Sequence, residues 1–545
     1  MIYNKTNTPQ NWGTKYFKND YMLEIPNYKK LYELIDLTDK VDFALEYYRH
    51  SDKLGKLLLN REIAENKNRE FDRNEVDSAK RTLARIEPKD KYKNPIIIEM
   101  LLKLAREVNY GLGAIGEDPI FFNGCHWQEI NKELLSNFLS LIVEVSGIDH
   151  HISIEEKFQK DIVKQFYSQA TLPPLDYNSN VVMINLQNGT FVFDNGKITF
   201  KNFDPKDRLM FQLPFKYDAK ATAPKFEKFL EEVIPEENAR LVIAEYVGYI
   251  FAKHLSFEKC MIFLGEGRNG KSVLQEIIVS LLGEENVLSH PISSLADTTG
   301  YHRAQLEHKL LNACSEFSLD GAKPDIVKVM ASNQPLSVRN IYGDPKIIKN
   351  YGRLLFNSNM LSNKDVEQSE GFFRRFLIVE FNQSIPIENV NPYLRQEIVS
   401  EELSGIFNWV LQGLKRITAP GAKGFTYSQH IENASCKFKN DSSSVYIFLE
   451  ECGYESSEKE YTLSTVLYKE YAEFCKDSGY RPVSSRVFLK RIESNKIKIE
   501  RKKTNNATWV YCTKKMCPPI CDAANVTDII KAIDYEKGNI QSELV

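Results

Sequence analysis

No stretch of the 545-residue chain offers the roughly eighteen uninterrupted apolar residues that a membrane-spanning helix needs; the richest candidate, Leu241 to Ala252, has Glu245 inside it. The opening Met-Ile-Tyr-Asn-Lys-Thr-Asn lacks the apolar core of a signal peptide, so the expectation is a cytoplasmic protein. Strong charge of one sign is missing as well. A net charge of −3 excludes a general electrostatic affinity for DNA, and any nucleic-acid contact has to come from a local basic surface, such as a channel lining. The nine cysteines form no framework of close pairs except at the tail, and in that compartment they stand as reduced thiols. At the tail, Cys512, Cys517 and Cys521 have no histidine nearby. Zinc normally takes four ligands, so a closed site there would need another from elsewhere.

What the chain does have is an ordinary globular composition, long enough for several domains, and one stretch that organises the rest. After the apolar run Met261-Ile262-Phe263, the residues Gly265-Glu266-Gly267-Arg268-Asn269-Gly270-Lys271-Ser272 fit G-x-x-x-x-G-K-S/T in full. Glycines let backbone N–H groups wrap phosphates, Lys271 supplies a cation to the β and γ oxygens, and Ser272 offers a hydroxyl to Mg²⁺. Val273 to Leu282 has helical apolar spacing and stops at Gly283. The bland reading is a glycine-rich turn that matches by accident; the strand-to-helix context favours nucleotide binding.

Upstream, residues from about 28 to 170 read as helical, closed by Pro173-Pro174. The period then switches to two in Val181–Ile184, Thr190–Phe193 and Ile198–Phe200, with Asn195-Gly196 as a two-residue turn, which predicts a small β meander. Phe226 to Ala252 reads as helical. Downstream, Leu310 to Glu316 is an apolar strand ending in a carboxylate, Leu354 to Asn359 a second strand ending in a polar residue, and Arg374-Arg375 precede a third. Singly, each has a plainer structural explanation; an arginine pair is usually surface charge. Their order after the phosphate loop is what points to a nucleotide motor.

Together these residues resemble a superfamily 3 (AAA+) helicase of the phage, plasmid and poxvirus primase-helicase branch, over roughly residues 115 to 510. Upstream, Phe121 to Trp127 and Leu186 to Phe191 are similar to the domain that precedes the motor in this branch. The resemblance implies ATP and Mg²⁺ as cofactors, Gly265 to Ser272 as Walker A, Glu316 as the Walker B acid and Asn359 as the sensor. Ser272 and Glu316 would attend the metal, and Arg375, with Arg374 as the near alternative, would be the arginine finger. It further implies a channel hairpin between Walker B and the sensor, where Gly343-Asp344-Pro345 suits a tip and Lys346 and Lys349 suit phosphate contacts; a plain solvated turn is the rival reading. Two departures stand out: Ser315-Glu316 carries one acid where the family pattern has two, and Asp365 to Glu370 is a charged loop before the arginines.

The fold expected is multidomain α+β. Residues 1–175 are mainly helical, 176–225 β-rich, 226–420 the P-loop motor, 421–512 a winged-helix module and 513–545 a tail. In the winged helix, Ser484 to Glu493 would be the third helix and Ile497 to Trp509 the wing; Lys490 and Arg491 lie in a basic concentration suited to a DNA backbone, although an exposed basic helix without a partner reads nearly as well. The first 180 residues show one cysteine and no paired strand aspartates, which predicts no primase activity and leaves priming to a separate primase or polymerase. The expected function is an ATP-dependent DNA helicase acting as a homo-oligomeric ring, six-membered by resemblance, on single-stranded or forked DNA in replication of a phage or mobile element, in the host cytoplasm if viral. The alternative is an ATP-switched replication initiator or defence NTPase that does not unwind.

Overall fold

The computed structural model describes residues 28–514, apart from 67–70, 174–179, 195, 342, 362–368, 387, 389 and 503–506. Cys517, Cys521, Asn195 and most of the charged loop before the arginines lie outside the described residues. Among the described residues no helix is long and apolar enough to cross a membrane, and no three His, Cys, Asp or Glu side chains gather as a metal site.

The amino-terminal region is less helical than its sequence suggests. Helices surround an antiparallel sheet of β1 (Gly111–Ile115), β2 (Asp118–Phe122) and β3 (Trp127–Glu129). The signal was a two-residue turn at Gly116-Glu117, where Ile115 pairs with Asp118 and Gly116 has φ +61°. It was masked because Gly-Leu-Gly-Ala-Ile is poor in β-branched residues. Its glycines answer to packing: a Cβ on Gly113 would sit 3.0 Å from Leu172 and one on Gly111 3.0 Å from Trp127. The meander follows as β4 (Val182–Leu186), β5 (Gly189–Asp194) and β6 (Lys197–Lys201). Asn185 Nδ2 donates to the Cys125 carbonyl at 2.7 Å, joining the two small sheets.

The stretch predicted as one helix from Phe226 to Ala252 is two, Pro224–Val233 and Glu237–Phe251. Pro235 explains the break, since it forces Ile234 out of the helical region to φ −134° and ψ 86°. The second helix crosses Leu403–Ile417 at very close range through two glycines. A Cβ on Gly413 would fall 2.3 Å from the Ala244 backbone, and one on Gly248 2.8 Å from that of Leu414. Glu245, the residue that interrupted the apolar run, is buried in this crossing and accepts from Arg416 Nε at 2.8 Å and the Thr426 backbone N–H at 2.7 Å. Glu245→Ala would leave both donors unanswered, so an unfolding free energy lower by about 3 kcal/mol is expected in urea titration. A change under about 1 kcal/mol would show that the carboxylate does not hold the crossing.

Beyond these helices lies a five-stranded parallel sheet of β7 (Cys260–Leu264), β8 (Val287–Leu288), β9 (Leu311–Cys314), β12 (Arg353–Ser358) and β13 (Phe376–Glu380), in spatial order β13-β7-β12-β9-β8. From Cys260 to Phe263 the strand β7 is fully buried, as expected for a central strand covered on both faces. Helix Lys271–Leu282 packs Leu274, Ile277, Ile278 and Leu281 onto the sheet at helical spacing and ends at Gly283 with φ +86°. Between β9 and β12, β10 (Leu336–Arg339) pairs antiparallel with β11 (Pro345–Ile348).

The carboxy-terminal lobe has helices Ser444–Glu451, Ser464–Asp477 and Ser485–Ser494. Its strands are β14 (Tyr454–Ser456), β15 (Thr462–Leu463), β16 (Ile499–Lys502), β17 (Ala507–Val510) and β18 (Cys512–Lys514), with β17 between β15 and β16. Val445, Phe448, Leu467, Tyr471, Phe488 and Ile492 form its own core.

Candidate nucleotide site

The loop after β7 has the geometry its sequence demands. Gly267, Arg268 and Gly270 have φ of +54°, +52° and +86°, the left-handed conformation that phosphate-cradling loops use. A Cβ on Gly265 would lie 2.2 Å from Asn269 Nδ2 and 2.6 Å from the Phe381 carbonyl, so glycine is required there. Asn269 is buried and donates to that carbonyl at 2.8 Å, and Ile385 N–H donates to the Arg268 carbonyl at 3.1 Å, so the segment after β13 braces the loop.

Lys271 opens the helix. Its ammonium group donates to the Gly265 carbonyl at 2.5 Å and to Asn269 Oδ1 at 3.0 Å, with no carboxylate partner among the described residues. Burial pulls its pKa below the usual lysine value. Ser272 is exposed beside it. A left-handed glycine-rich loop, a lysine with no carboxylate partner among the described residues and an exposed hydroxyl fit the polyphosphate of MgATP.

Parallel register places the other candidates. Ser358 of β12 is level with Leu264 of β7, and Phe356 with both Ile262 and Cys314. Gly265 N–H donates to the Ser358 carbonyl at 3.1 Å. Asn359, one residue past β12, and Glu316, two past β9, therefore emerge at the edge that carries the loop, both exposed. The sequence reading overlooked Asn357. It is buried in β12 and donates to Gln275 Oε1 on the helix after the loop, while its own Oδ1 has no partner. An amide inside the run Leu354-Leu355-Phe356 was the available clue.

The arginine pair lies at the opposite edge of the same sheet, for Cys260 N–H at the start of β7 donates to the Arg375 carbonyl at 2.8 Å. Five residues of strand, roughly 15 Å, separate this edge from the loop. Arg375, the first expectation for the finger, is held inside its own subunit: its side chain is 12% exposed, bonded to Ser332 Oγ and the Gly371 carbonyl and 3.2 Å from Glu258. Arg374 is 60% exposed, bonds Glu258 at 2.6 Å, and lines a cavity of about 570 Å³ together with Lys259, Lys423 and Tyr427.

The hairpin lysines also differ from expectation. Lys346 is not a free cation at the tip; its ammonium group is 3.1 Å from Asp118 and 2.5 Å from Glu307. Strand parity is the reason, because Lys346 shares a face with the buried Val338 and Ile348, whereas Ser337, Arg339 and Ile347 face outward. Lys349 is exposed but follows β11, at the base of the hairpin, while Arg339 and the 70%-exposed Ile341 stand by the turn. In the carboxy-terminal lobe Lys490 is exposed with Arg486, and Arg491 is half-buried beside Ile492, where desolvation lowers its pKa.

Residues 114–235 match the family described as D5 N terminal like, 440–526 the family described as Poxvirus D5 protein-like, and 263–375, which span the phosphate loop, a family of unknown function (DUF5906). Over 168 residues the chain is 27% identical to Putative helicase 121R of Invertebrate iridescent virus 3, covering 29% of this chain and 17% of that relative's length. Among solved structures, the apo C-terminal region of NrS-1 covers 76% of this chain and 99% of its own, at 11% identity and a TM-score of 0.42. A D5 N-terminal-like region thus precedes the phosphate loop and a poxvirus D5-like region follows it, in a chain that is also similar to a viral putative helicase.

Proposed function

We propose that the protein is an ATP-driven DNA helicase of replication, working as a homo-oligomeric ring, six-membered by family resemblance. The observation that carries this reading is the split of the nucleotide machinery between opposite edges of one sheet. Lys271, Ser272, Glu316 and Asn359 share one edge and the arginine pair the other, so a complete site needs an adjoining copy arranged head to tail.

In this reading the loop amides and Lys271 bind the β and γ phosphates, Ser272 and Glu316 hold Mg²⁺, and Glu316 also polarises the attacking water that Asn359 orients. The metal, when bound, neutralises charge on the phosphate oxygens. Arg374 takes the role of trans cation, because it is the accessible one, and Arg375 positions it through their shared partner Glu258. The chain motifs extend to domain limits of 226–420 for the motor and 421–512 for a winged helix, in which Arg486 and Lys490 face a DNA backbone and β16 and β17 form the wing. Lys349 and Arg339 remain the hairpin's candidates for DNA, with Lys346 as a strut to the amino-terminal region. A separate primase or polymerase would supply primers.

ATP turnover measured against added single-stranded DNA, with particle mass recorded in the same sample, tests this. Turnover should rise with DNA and coincide with a ring-sized species, and a forked duplex should be unwound. A monomer that turns over ATP at the same rate with and without DNA would overturn the ring, and hydrolysis without strand displacement would favour the switch-type initiator.

A further inference from the structure

The sheet β15-β17-β16 has one face turned away from the core of the carboxy-terminal lobe. Ile499 of β16 and Val510 of β17, paired in register, turn into that core, so the next pair, Glu500 and Trp509, points the other way. Leu463 of β15 pairs with Trp509 from its other side. Tyr461, just before β15, meets Trp509 edge to face at 4.6 Å between ring centroids and Tyr511 at 5.8 Å. These rings share one patch of the outer face.

Rings that only stabilised the sheet would be covered. Tyr461 is 49% exposed, and Leu463 is exposed as well. The Tyr461 ring is nevertheless fixed, because Trp509 and Tyr511 both hold it, so it has little freedom left to lose when something binds. Charge is divided across the sheet. On the β16 side Lys496, Lys498 and Arg501 are exposed, and Lys498 Nζ stands 4.9 Å from the centre of the Tyr511 ring. The acid of that strand, Glu500, accepts from Tyr511 Oη at 2.6 Å. On the β15 side the chain arrives through Glu458-Lys459-Glu460, which is net acidic. Rings with cations along one side suit a single strand of nucleic acid, whose bases stack while its phosphates follow the cations. The bases of a duplex are stacked on one another and offer no free faces along its length.

We propose that the outer face of this sheet stacks unpaired DNA bases on Tyr461, braced by Trp509 and Tyr511, with the phosphates of the strand on the β16 side at Lys498. The carboxy-terminal lobe then distinguishes single-stranded DNA from duplex. This rests on the DNA-facing reading of the lobe given above and divides it between two surfaces. Arg486 and Lys490 take a phosphate backbone of either form, and the ring face takes bases.

The test binds the full chain, without nucleotide, to a thymidine strand, to a strand of the same length built from abasic sites, and to a blunt duplex. Tyr461→Ala should weaken the thymidine strand about fivefold and leave the abasic strand and the duplex unchanged, while Tyr461→Phe keeps all three affinities. Lys498→Ala should weaken both single strands alike. A strand carrying iodouracil should crosslink on irradiation to Tyr461, Trp509 or Tyr511, located by mass spectrometry. Unchanged thymidine affinity in Tyr461→Ala overturns the proposal, as does a loss shared equally by the abasic strand, or crosslinks confined to other parts of the chain. Arg486→Ala with Lys490→Ala tests the underlying reading separately, because it should weaken the duplex. If duplex affinity survives that change, the backbone surface on the helix has failed, whereas the crosslinks still decide the ring face.

Discussion

Lys271→Ala is expected to remove ATP binding and turnover together, with affinity down by at least about a hundredfold and no measurable hydrolysis above background. The size follows from the environment of the ammonium group. It is 5% exposed, has no carboxylate partner among the described residues, and donates to two neutral oxygens of its own loop, Gly265 O and Asn269 Oδ1. A cation held that way is only partly solvated, which is consistent with its lowered pKa, and an entering phosphate recovers the missing interaction in surroundings of low polarity. Calorimetric titration with MgATP and a steady-state assay give the two readouts. Turnover within tenfold of the parent would remove the motor assignment, because no other lysine is built into this loop.

How far the chain could be read in advance depended on whether a local rule decided the outcome. The phosphate loop, the helix to Leu282 and the three strands that carry Glu316, Asn359 and the arginines follow from glycine placement and apolar periodicity, which act over a few residues. Lys346 was legible in principle. Counting pleats from Ile348 puts it on the buried face, yet its partners Asp118 and Glu307 lie far away in sequence and no local pattern names them. The sheet of β1 to β3 was hidden because its glycines are selected by the contacts of Leu172 and Trp127 and not by strand propensity. The order of accessibility within Arg374-Arg375 is of the same kind. It is fixed by Ser332 and Glu258, forty-three and more than a hundred residues distant. Asn357 was a different failure: the residue was visible, but an amide in a strand has no meaning until the helix that carries Gln275 is packed beneath it.

The arginine pair gives the second large effect. Arg374→Ala should leave MgATP affinity within about twofold and lower turnover by about a thousandfold or more, as expected when a cation acts only on charge developing in transfer. Arg375→Ala should also lower turnover, but with a loss of stability of about 1–3 kcal/mol, because its side chain ties Ser332, Gly371 and Glu258 together; a melting curve taken beside the rate separates the two. Mixing decides whether the cation crosses between subunits. Arg374→Ala protomers keep Glu316, and Glu316→Gln protomers keep Arg374. In a ring assembled at random from equal amounts, roughly a quarter of interfaces regain one of each, so hydrolysis should recover toward roughly a quarter of the parent rate. Recovery that peaks at equal mixing and vanishes at either extreme requires a site shared across an interface. If every mixture stays as inactive as its components, Arg374 does not act on a neighbouring loop, and the edge-to-edge separation in the sheet must then be bridged by a change of shape within one subunit.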